Sequence, residues 1–219
     1  MTNSEENYLK VIFHLSQGKN IEVSTNQIAN QIKAKPSSVT DMLKKLAEKK
    51  LLFYQKYQGV FLTTQGLIRA KMIIRKHRLW EVFLVRKLHF NWDEVHEIAE
   101  ELEHIRSEKL INHLEEYLGF PKVDPHGDPI PDRSGIIEPT EKLLLSDMEV
   151  EFDRPYMCVG VKNSSKEYLQ YLDRLNINIG AKIVVLSKEA FDYSLKIEVN
   201  GKQHGISALA SKNLYIKKV

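Results

Sequence analysis

Histidine and glutamate side chains recur at helical spacing in one acidic segment of this chain, VHEIAEELEHIRS. Four of them stand at i, i+4, i+7 and i+8, a spacing that places them on one face of a helix: His96, Glu100, Glu103 and His104. Carboxylates held side by side repel one another, and a divalent cation converts that repulsion into binding energy. The spacing therefore predicts a metal site on this face.

A second pair lies upstream, where His77 and Glu81 are again four residues apart. If the two helical segments pack antiparallel, this pair can converge with His96, and the downstream acids can meet a group from the first helix. Two alternatives stay open at this point. His77 and Glu81 can form an ordinary surface pair, and Glu100 and Glu103 can belong to a solvated acidic face.

Several enzyme motifs come close to this segment without matching it. The stretch HEIAE has Glu100 where the HExxH zinc-protease motif needs a second histidine. Only one Glu-x-x-His occurs in it, whereas ferritin-like enzymes need that motif on two helices. No Gly-rich phosphate loop and no GxSxG elbow is present. The sequence therefore favours a protein that is not an enzyme, and a helical metal-dependent hydrolase or oxygenase is kept as the alternative.

The charge distribution indicates a nucleic-acid partner. Residues 1–89 contain 16 Lys and Arg against six Asp and Glu, although the whole chain of 219 residues carries a formal charge of only +3. A basic segment on a nearly neutral chain is typical of a phosphate-binding module. The single cysteine, Cys158, favours a cytoplasmic protein. No apolar run approaches the roughly 18 residues that span a bilayer, so no membrane partner is expected.

Two short helices joined by a tight break predict a helix-turn-helix in residues 24–50. Ser24 or Thr25 can cap the first helix, and Pro36 suits the first turn of the second. The second helix should meet DNA with short hydroxyl side chains and lysines; these are Ser37, Ser38, Thr40, Lys44 and Lys45. Ser37 is also a candidate cap. A hairpin follows as a wing, in which Lys56 and Tyr57 can reach phosphates.

The remaining elements should position these groups in a mainly α fold with β. Residues 64–120 are predicted to form two long helices, the second of which runs unbroken to Gly119. These helices carry more apolar surface than one protomer can cover, which favours a homodimer. Residues 121–149 are a Pro-rich linker. Residues 150–219 predict a small SH3-like β-barrel, with Asn200-Gly201 as a hairpin turn. Residues 1–63 would then form a winged helix-turn-helix domain.

Five segments together resemble the DtxR/MntR family of metal-dependent transcriptional repressors, in the long form with a C-terminal SH3-like (FeoA-type) domain. They are NYLKVIF, AKPSSVTDMLKKL, YQKYQGVFLTTQG, RKHRLWEVFL and VHEIAEELEHIRS. The resemblance covers almost the whole chain. It implies a homodimeric repressor that binds a double-stranded DNA operator when Mn²⁺ or Fe²⁺ orders the first helix against the dimerisation helices. A winged-helix regulator that senses no metal is the alternative.

The resemblance also implies two metal sites. The primary site would use Glu100, Glu103 and His104 with Asn7, at a position where the family usually has Asp or Met. Lys10 replaces a second acid of the short members, which argues against their paired-metal cluster. The ancillary site would use His77, Glu81 and His96, and further ligands would come from Asp124 and His126, where manganese-type members have Cys-Pro-His.

The metal preference follows from the donor atoms in these sites. Glu100 stands where the iron-responsive branch has Cys, and three oxygens with one imidazole form a hard site. This donor set favours Mn²⁺ over Fe²⁺ as the activating ion.

Overall fold

The computed structural model describes residues 1–19, 21–55 and 58–219. Within this part the chain forms two compact units. The first contains Met1–His77, Glu100–Glu108 and Pro131–Ile137. The second contains Arg78–Ala99, Lys109–Ile130 and Glu138–Val219. No helix in the described residues is long and apolar enough to cross a membrane.

The first unit is a winged helix-turn-helix, as predicted. Its elements are α1 (Asn3–Leu15), α2 (Thr25–Ile32), α3 (Pro36–Glu48), β1 (Leu52–Gln55), β2 (Gly59–Leu62) and the beginning of α4 (Thr64–Leu88). Apolar faces of α1, α2 and α3 meet in a core that includes the fully buried side chains of Leu9, Ile12, Ile28, Leu43 and Leu46.

Local sequence signals set the ends of these helices. Ser24 caps α2 through the backbone N–H of Gln27, whose side chain binds back to the backbone of Ser24. Lys33 then adopts a left-handed conformation that ends α2. Pro36 opens α3, but the residue before the helix is Lys35 and no side chain caps it. Ser37 therefore does not cap this helix.

The segment expected to be one helix up to Gly119 is two helices, so that prediction is wrong. They are α5 (Val95–Leu102) and α6 (Glu108–Tyr117). Helical periodicity continues in the sequence across the break, but Glu103 and His104 lie in a turn after α5. Lys10 and Glu6 of α1 contact these two residues, and the helix ends where these contacts form.

The second unit carries a small antiparallel sheet. Its strands are β3 (Leu143–Leu144), β4 (Pro155–Val161), β5 (Lys182–Lys188), β6 (Leu195–Val199), β7 (Lys202–Ile206) and β8 (Leu214–Lys218), with helices α7 (Lys166–Arg174) and α8 (Ala208–Ser211). The order β3-β8-β4-β5-β6-β7 leaves β3 and β7 as edges, so the SH3-like sheet is open rather than a closed barrel. Asn200 and Gly201 form the β6–β7 turn with positive φ, as predicted.

Apolar helix surface in the second unit is partly covered and partly free. Trp80, Leu84 and Leu114 are buried within the chain, whereas Leu110 is exposed. In residues 78–130 of this unit, four more large apolar side chains are exposed to between 37% and 63% of their surface, namely Leu88, Phe90, Tyr117 and Phe120. The apolar surplus expected from the sequence is thus smaller in the structure, because part of it is buried within the chain.

Candidate metal centres and nucleic-acid interface

The first cluster of charged side chains lies in the first unit, around Glu103, whose side chain is completely buried. Lys10 of α1 reaches into it. Its Nζ lies 2.7 and 2.8 Å from the two carboxylate oxygens of Glu103 and 2.5 Å from Oε1 of Glu100. An ammonium group has three N–H donors, and here each has a carboxylate oxygen. We call Lys10, Glu100 and Glu103 the lysine cluster.

Two histidines join the edges of the lysine cluster. His77 Nδ1 lies 2.8 Å from Glu103 Oε2, and His104 Nδ1 lies 2.7 Å from Oε2 of Glu6 in α1. Burial raises the pKa of Glu103, but the His77 hydrogen bond and the Lys10 charge outweigh it and hold that pKa below its ordinary value. The Glu103 carboxylate is therefore ionised and compensated by side chains of this unit.

A metal ion does not fit the lysine cluster as it stands, because an ammonium group donates hydrogen bonds and supplies no lone pair. The oxygens of Glu100 and Glu103 already face Lys10, and a cation bound to them would lie beside a like charge. One feature favours an ion here, namely that Oδ1 of Asn7 is buried and accepts no hydrogen bond from any residue in the described ranges. Metal ligation by Asn7, Glu100, Glu103 and His104 stays a prediction.

The second cluster lies in the second unit and contains Glu81, Asp124 and His126, all of them buried. One ligand atom from each lies within 4.8 Å of the others. His96 stands at the edge of this group, where its Nδ1 is 3.6 Å from Oε1 of Glu81. We call Glu81, Asp124 and His126 the loop cluster. It joins the predicted Glu81 and His96 to the two linker residues, whereas His77 lies in the first unit against Glu103.

The loop that carries two of these ligands is built around Asp124. Oδ1 of Asp124 accepts the backbone N–H groups of His126 and Asp128, at 2.8 and 3.0 Å. Gly127 between them has φ +84°, and a Cβ there would lie 2.0 Å from the carbonyl oxygen of Val159. Only glycine permits this approach, which fixes the position of the His126 backbone.

A backbone carbonyl orients the imidazole of His126. Nε2 lies 2.8 Å from the carbonyl oxygen of Trp92, and the two rings stack with centroids 6.2 Å apart. A carbonyl oxygen accepts only, so Nε2 carries a proton. Nδ1 then faces Glu81 Oε2 at 3.6 Å. Metal-binding histidines commonly have this arrangement, in which the second ring nitrogen donates to a carbonyl group.

Burial and close contacts shift the pKa values of the acid and the imidazole in the loop cluster. Burial and the Glu81 carboxylate raise the pKa of Asp124 to about 7. Burial lowers the pKa of His126, but the Glu81 hydrogen bond and charge outweigh it and raise the pKa to about 9. Arg78 Nε lies 3.4 Å from Asp124 Oδ2, so an ionised Asp124 has a cation beside it. Two carboxylates and an imidazole in a buried site are a donor set that a hard divalent cation fits.

The predicted DNA-contacting residues lie on α3. Ser37, Ser38 and Lys44 are exposed. Thr40 donates its hydroxyl hydrogen to the carbonyl oxygen of Pro36 at 3.0 Å. Lys56 and Tyr57, predicted for the wing, lie outside the described residues. The exposed hydroxyl and lysine side chains leave α3 free to contact a nucleic acid.

Lys45 has a partner that the sequence did not indicate. Its Nζ lies 2.9 Å from the fully buried carboxylate of Glu5 in α1, and Lys49 Nζ lies 2.8 Å from the same carboxylate. Burial raises the pKa of Glu5, but the two lysine hydrogen bonds outweigh it and lower the pKa to about 2. Helix α1 thus joins the predicted recognition helix through Glu5 and the lysine cluster through Lys10.

We expect Glu5→Gln to lower the free energy of unfolding of the protein by on the order of 2 kcal/mol at neutral pH, once screening of the half-exposed lysines is discounted. Because the folded-state pKa is depressed from 4.5 to about 2, this stability is complete above pH 4.5 and is lost as the pH falls toward 2. Urea unfolding followed by circular dichroism should therefore show the variant and the wild type converging in acid. Glu48→Gln, an exposed carboxylate of α3, is the control. A pH-independent difference between Glu5→Gln and the wild type would contradict the pairing.

Three family models match this chain in sequence. The iron dependent repressor N-terminal DNA binding domain matches residues 1–60. The iron dependent repressor metal binding and dimerisation domain matches residues 63–132. The FeoA domain matches residues 145–218. The matched ranges together contain the predicted site residues and strands β4 to β8 of the C-terminal sheet.

Individual relatives agree with these matches. An uncharacterised HTH-type transcriptional regulator of Methanocaldococcus jannaschii is 34% identical over 54% of this chain and 94% of its own length. The regulator MntR of Oceanobacillus iheyensis is 31% identical over 56% of this chain and 82% of its own. The match to a probable metal transport system membrane protein of Chlamydia trachomatis, 33% identical over 61% of this chain, spans 30% of that protein's length.

Solved structures are similar over nearly the whole chain. A manganese-dependent transcriptional repressor in complex with manganese has a TM-score of 0.84 and 29% identity, covering 98% of this chain and 100% of that one. The manganese regulator SloR has a TM-score of 0.74 and 34% identity, with all of both chains covered.

Proposed function

This chain belongs to the iron-dependent repressor family of metal-dependent, DNA-binding transcriptional repressors, and we propose that it is a Mn²⁺-responsive repressor whose sensing site is the loop cluster. The observation that carries the proposal is the convergence of three buried hard donors, Glu81, Asp124 and His126, within 4.8 Å. Metal dependence is common to the family, while the choice of Mn²⁺ and of this cluster is the proposal.

The choice of Mn²⁺ rests on the donor atoms. Asp124 supplies a carboxylate, so the loop cluster contains no thiolate, which would favour softer metals. The Trp92 carbonyl group holds the Nε2 proton of His126, so Nδ1 is the nitrogen that would bind a metal ion, and binding would release the proton that Nδ1 carries at neutral pH. His96 is placed to add a second imidazole beside Glu81. Fe²⁺ is the alternative ion, since its ligand preferences differ little.

A divalent cation in the loop cluster would replace the protons of His126 and Asp124 and hold the two acids as carboxylates. Residues of the chain position this cluster relative to α4. Asp124 organises its loop through two backbone N–H groups, and Glu81 belongs to α4, the helix that follows the wing directly in the sequence. Relief of repulsion at Glu81 favours the folded arrangement of this helix and its loop, and therefore a dimer competent to bind DNA.

Operator binding uses α3 in the proposed function. The exposed Ser37 and Ser38 and the half-buried Thr40 approach base edges or phosphates, and Lys44 neutralises a phosphate. A homodimer would present two such helices, and the exposed apolar side chains of the second unit would meet their copies in the partner. This combination of metal site, dimer and basic helix accounts for the basic N-terminal part of the chain.

The experiment that tests the function also identifies the operator. Random-sequence duplex DNA is selected on the full-length protein with Mn²⁺ present, and the enriched sequence is titrated with protein in Mn²⁺, in anaerobic Fe²⁺ and in chelator. We expect tight, sequence-selective binding with Mn²⁺ and its loss in chelator. Equal affinity in chelator and in Mn²⁺ would overturn metal sensing and leave the winged-helix regulator without a metal signal. Activation by Fe²⁺ alone would overturn the choice of manganese.

A further inference from the structure

Lys10 has a position that a metal ion would otherwise take between two acids. Its side chain is 91% buried, although an unpaired lysine is rarely enclosed in a protein. Each of its three N–H groups meets a carboxylate oxygen, at 2.5 Å for Glu100 and at 2.7 and 2.8 Å for Glu103. These contacts join residue 10 to residues 90 and more positions away along the chain. The lysine cluster is therefore a tertiary link between α1 and the turn after α5.

We infer that the Lys10 ammonium group is a built-in cation, which holds α1 to the turn after α5 without a metal ion. The carboxylates of the lysine cluster need a positive charge to remain side by side. Lys10 supplies that charge covalently, from the helix that must be positioned. Because Lys10 already provides this charge, Glu100 and Glu103 need no metal ion in order to lie side by side.

Contacts on both sides of Lys10 fix α1 in the same position. Glu6 Oε2 receives His104 Nδ1 at 2.7 Å, with Lys76 Nζ at 3.9 Å, and Glu5 binds the two lysines of α3. With the lysine cluster included, four glutamates face four ammonium groups in this part of the first unit, namely Glu5, Glu6, Glu100 and Glu103 against Lys10, Lys45, Lys49 and Lys76. The arrangement compensates its charges internally, so α1 is ordered with respect to α3 in the absence of metal.

One consequence is a division of roles between the two clusters. The lysine cluster keeps α1 in place at all times, and the loop cluster alone responds to metal; this second statement rests on the proposed function. We therefore expect about one Mn²⁺ per protomer in the wild type rather than two. His126→Ala should remove it.

The test of the built-in cation uses Lys10→Met, which keeps the length of the side chain and removes its charge. In chelator, hydrogen exchange of the α1 amides should be slow in the wild type and at least about tenfold faster in the variant, because the buried Glu103 and the partly exposed Glu100 lose the ammonium group between them. Added Mn²⁺ should restore protection in Lys10→Met, and manganese bound after dialysis should rise to about two ions per protomer. Lys33→Met, at an exposed lysine of the same unit, is the matched control.

Two further variants keep the inference open to refutation. Lys10→Arg retains a cation and should behave as the wild type, which separates charge from packing if Lys10→Met folds poorly. In the double variant Lys10→Met, His126→Ala, the bound ion should lie in the vacated lysine cluster and should disappear when Glu103→Gln is added. Fast exchange of α1 in wild-type protein with chelator, slowed by Mn²⁺, would overturn the inference. So would a wild-type ion that is lost in Glu103→Gln but kept in His126→Ala.

Separate measurements test the lysine cluster and the loop cluster, namely hydrogen exchange of α1 and the manganese content of His126→Ala. The comparison of α1 hydrogen exchange in chelator between the wild type and Lys10→Met reports on Lys10 and requires no metal to bind anywhere. If His126→Ala left the manganese content unchanged, the loop cluster would be rejected as the metal sensor. Slow exchange of α1 in chelator would still support the role of Lys10 as a built-in cation. If α1 exchanged quickly in chelator but His126→Ala lost its manganese, the loop cluster would be kept as the metal sensor and the built-in cation would be rejected.

Discussion

Replacing His126 by Ala is expected to raise the Mn²⁺ concentration for half-maximal operator binding by at least about 100-fold, because outer-shell partners alone are worth 10–100-fold in metal affinity and His126 is a proposed direct ligand. Its Nδ1 is the only nitrogen donor among the three residues of the loop cluster. The measurement is a gel-shift or fluorescence-anisotropy titration with Mn²⁺ at fixed protein and DNA. An unchanged midpoint would remove His126 from the site.

A second substitution separates metal binding from the folding of the loop. Asp124→Asn keeps an oxygen that can accept the backbone N–H groups of His126 and Asp128 and removes the negative charge. We expect it to weaken Mn²⁺ activation by about tenfold or more without unfolding the loop. The control is His113→Ala, an exposed histidine of α6 in the same unit. Tryptophan fluorescence reports whether the unit remains folded, since Trp92 stacks on His126.

The helix-turn-helix was predictable from sequence because its determinants are local. Ser24 followed three residues later by Gln27 forms a capping box, and Pro36 begins the next helix because its missing N–H has no partner in a first turn anyway. The same holds for the Asn200-Gly201 turn, where both residues need positive φ. Each of these features is decided by residues a few positions apart, which a pattern along the chain records.

The break between α5 and α6 was not predictable in this way. Periodicity through ELEHIRSEKL supports one continuous helix, and no proline or glycine interrupts it. The turn at Glu103 and His104 is held by Lys10 and Glu6, which lie more than 90 residues earlier in the sequence. Tertiary ion pairs therefore override the local preference, and they also remove the shared helical face on which the first metal prediction depended.

The loop cluster shows the same limit for a site. Glu81 was found by its spacing from His77, but that spacing did not show that Asp124 and His126 lie beside Glu81. Asp124 and His126 lie in a Pro-rich segment with no periodicity, and only the family resemblance pointed to them. Spacing identified which residues carry chemistry, but the partners of each residue depend on the tertiary structure.

Replacing Lys44 by Ala is expected to weaken binding to every DNA sequence by about tenfold or more. The slope of log affinity against log salt should fall by about 0.9 for each phosphate that is no longer neutralised, or about 1.8 for a dimer. Lys44 is 60% exposed on α3, and Asp41 lies 3.8 Å away, too far for a strong pair. Its ammonium group is therefore available to a phosphate. Affinity is measured across a salt series for the selected operator and for unrelated DNA.

Two comparisons decide whether the effect belongs to a phosphate contact. Lys166→Ala, at an exposed lysine of α7 in the second unit, should leave the salt slope unchanged. Lys45→Ala should weaken binding and also destabilise the fold, because it removes one of the two lysines that neutralise the buried Glu5. Ser37→Ala should instead change the preference among operators and keep the slope. A wild-type slope in Lys44→Ala would mean that this lysine meets no phosphate, and the basic side of α3 would then have to lie away from the DNA backbone.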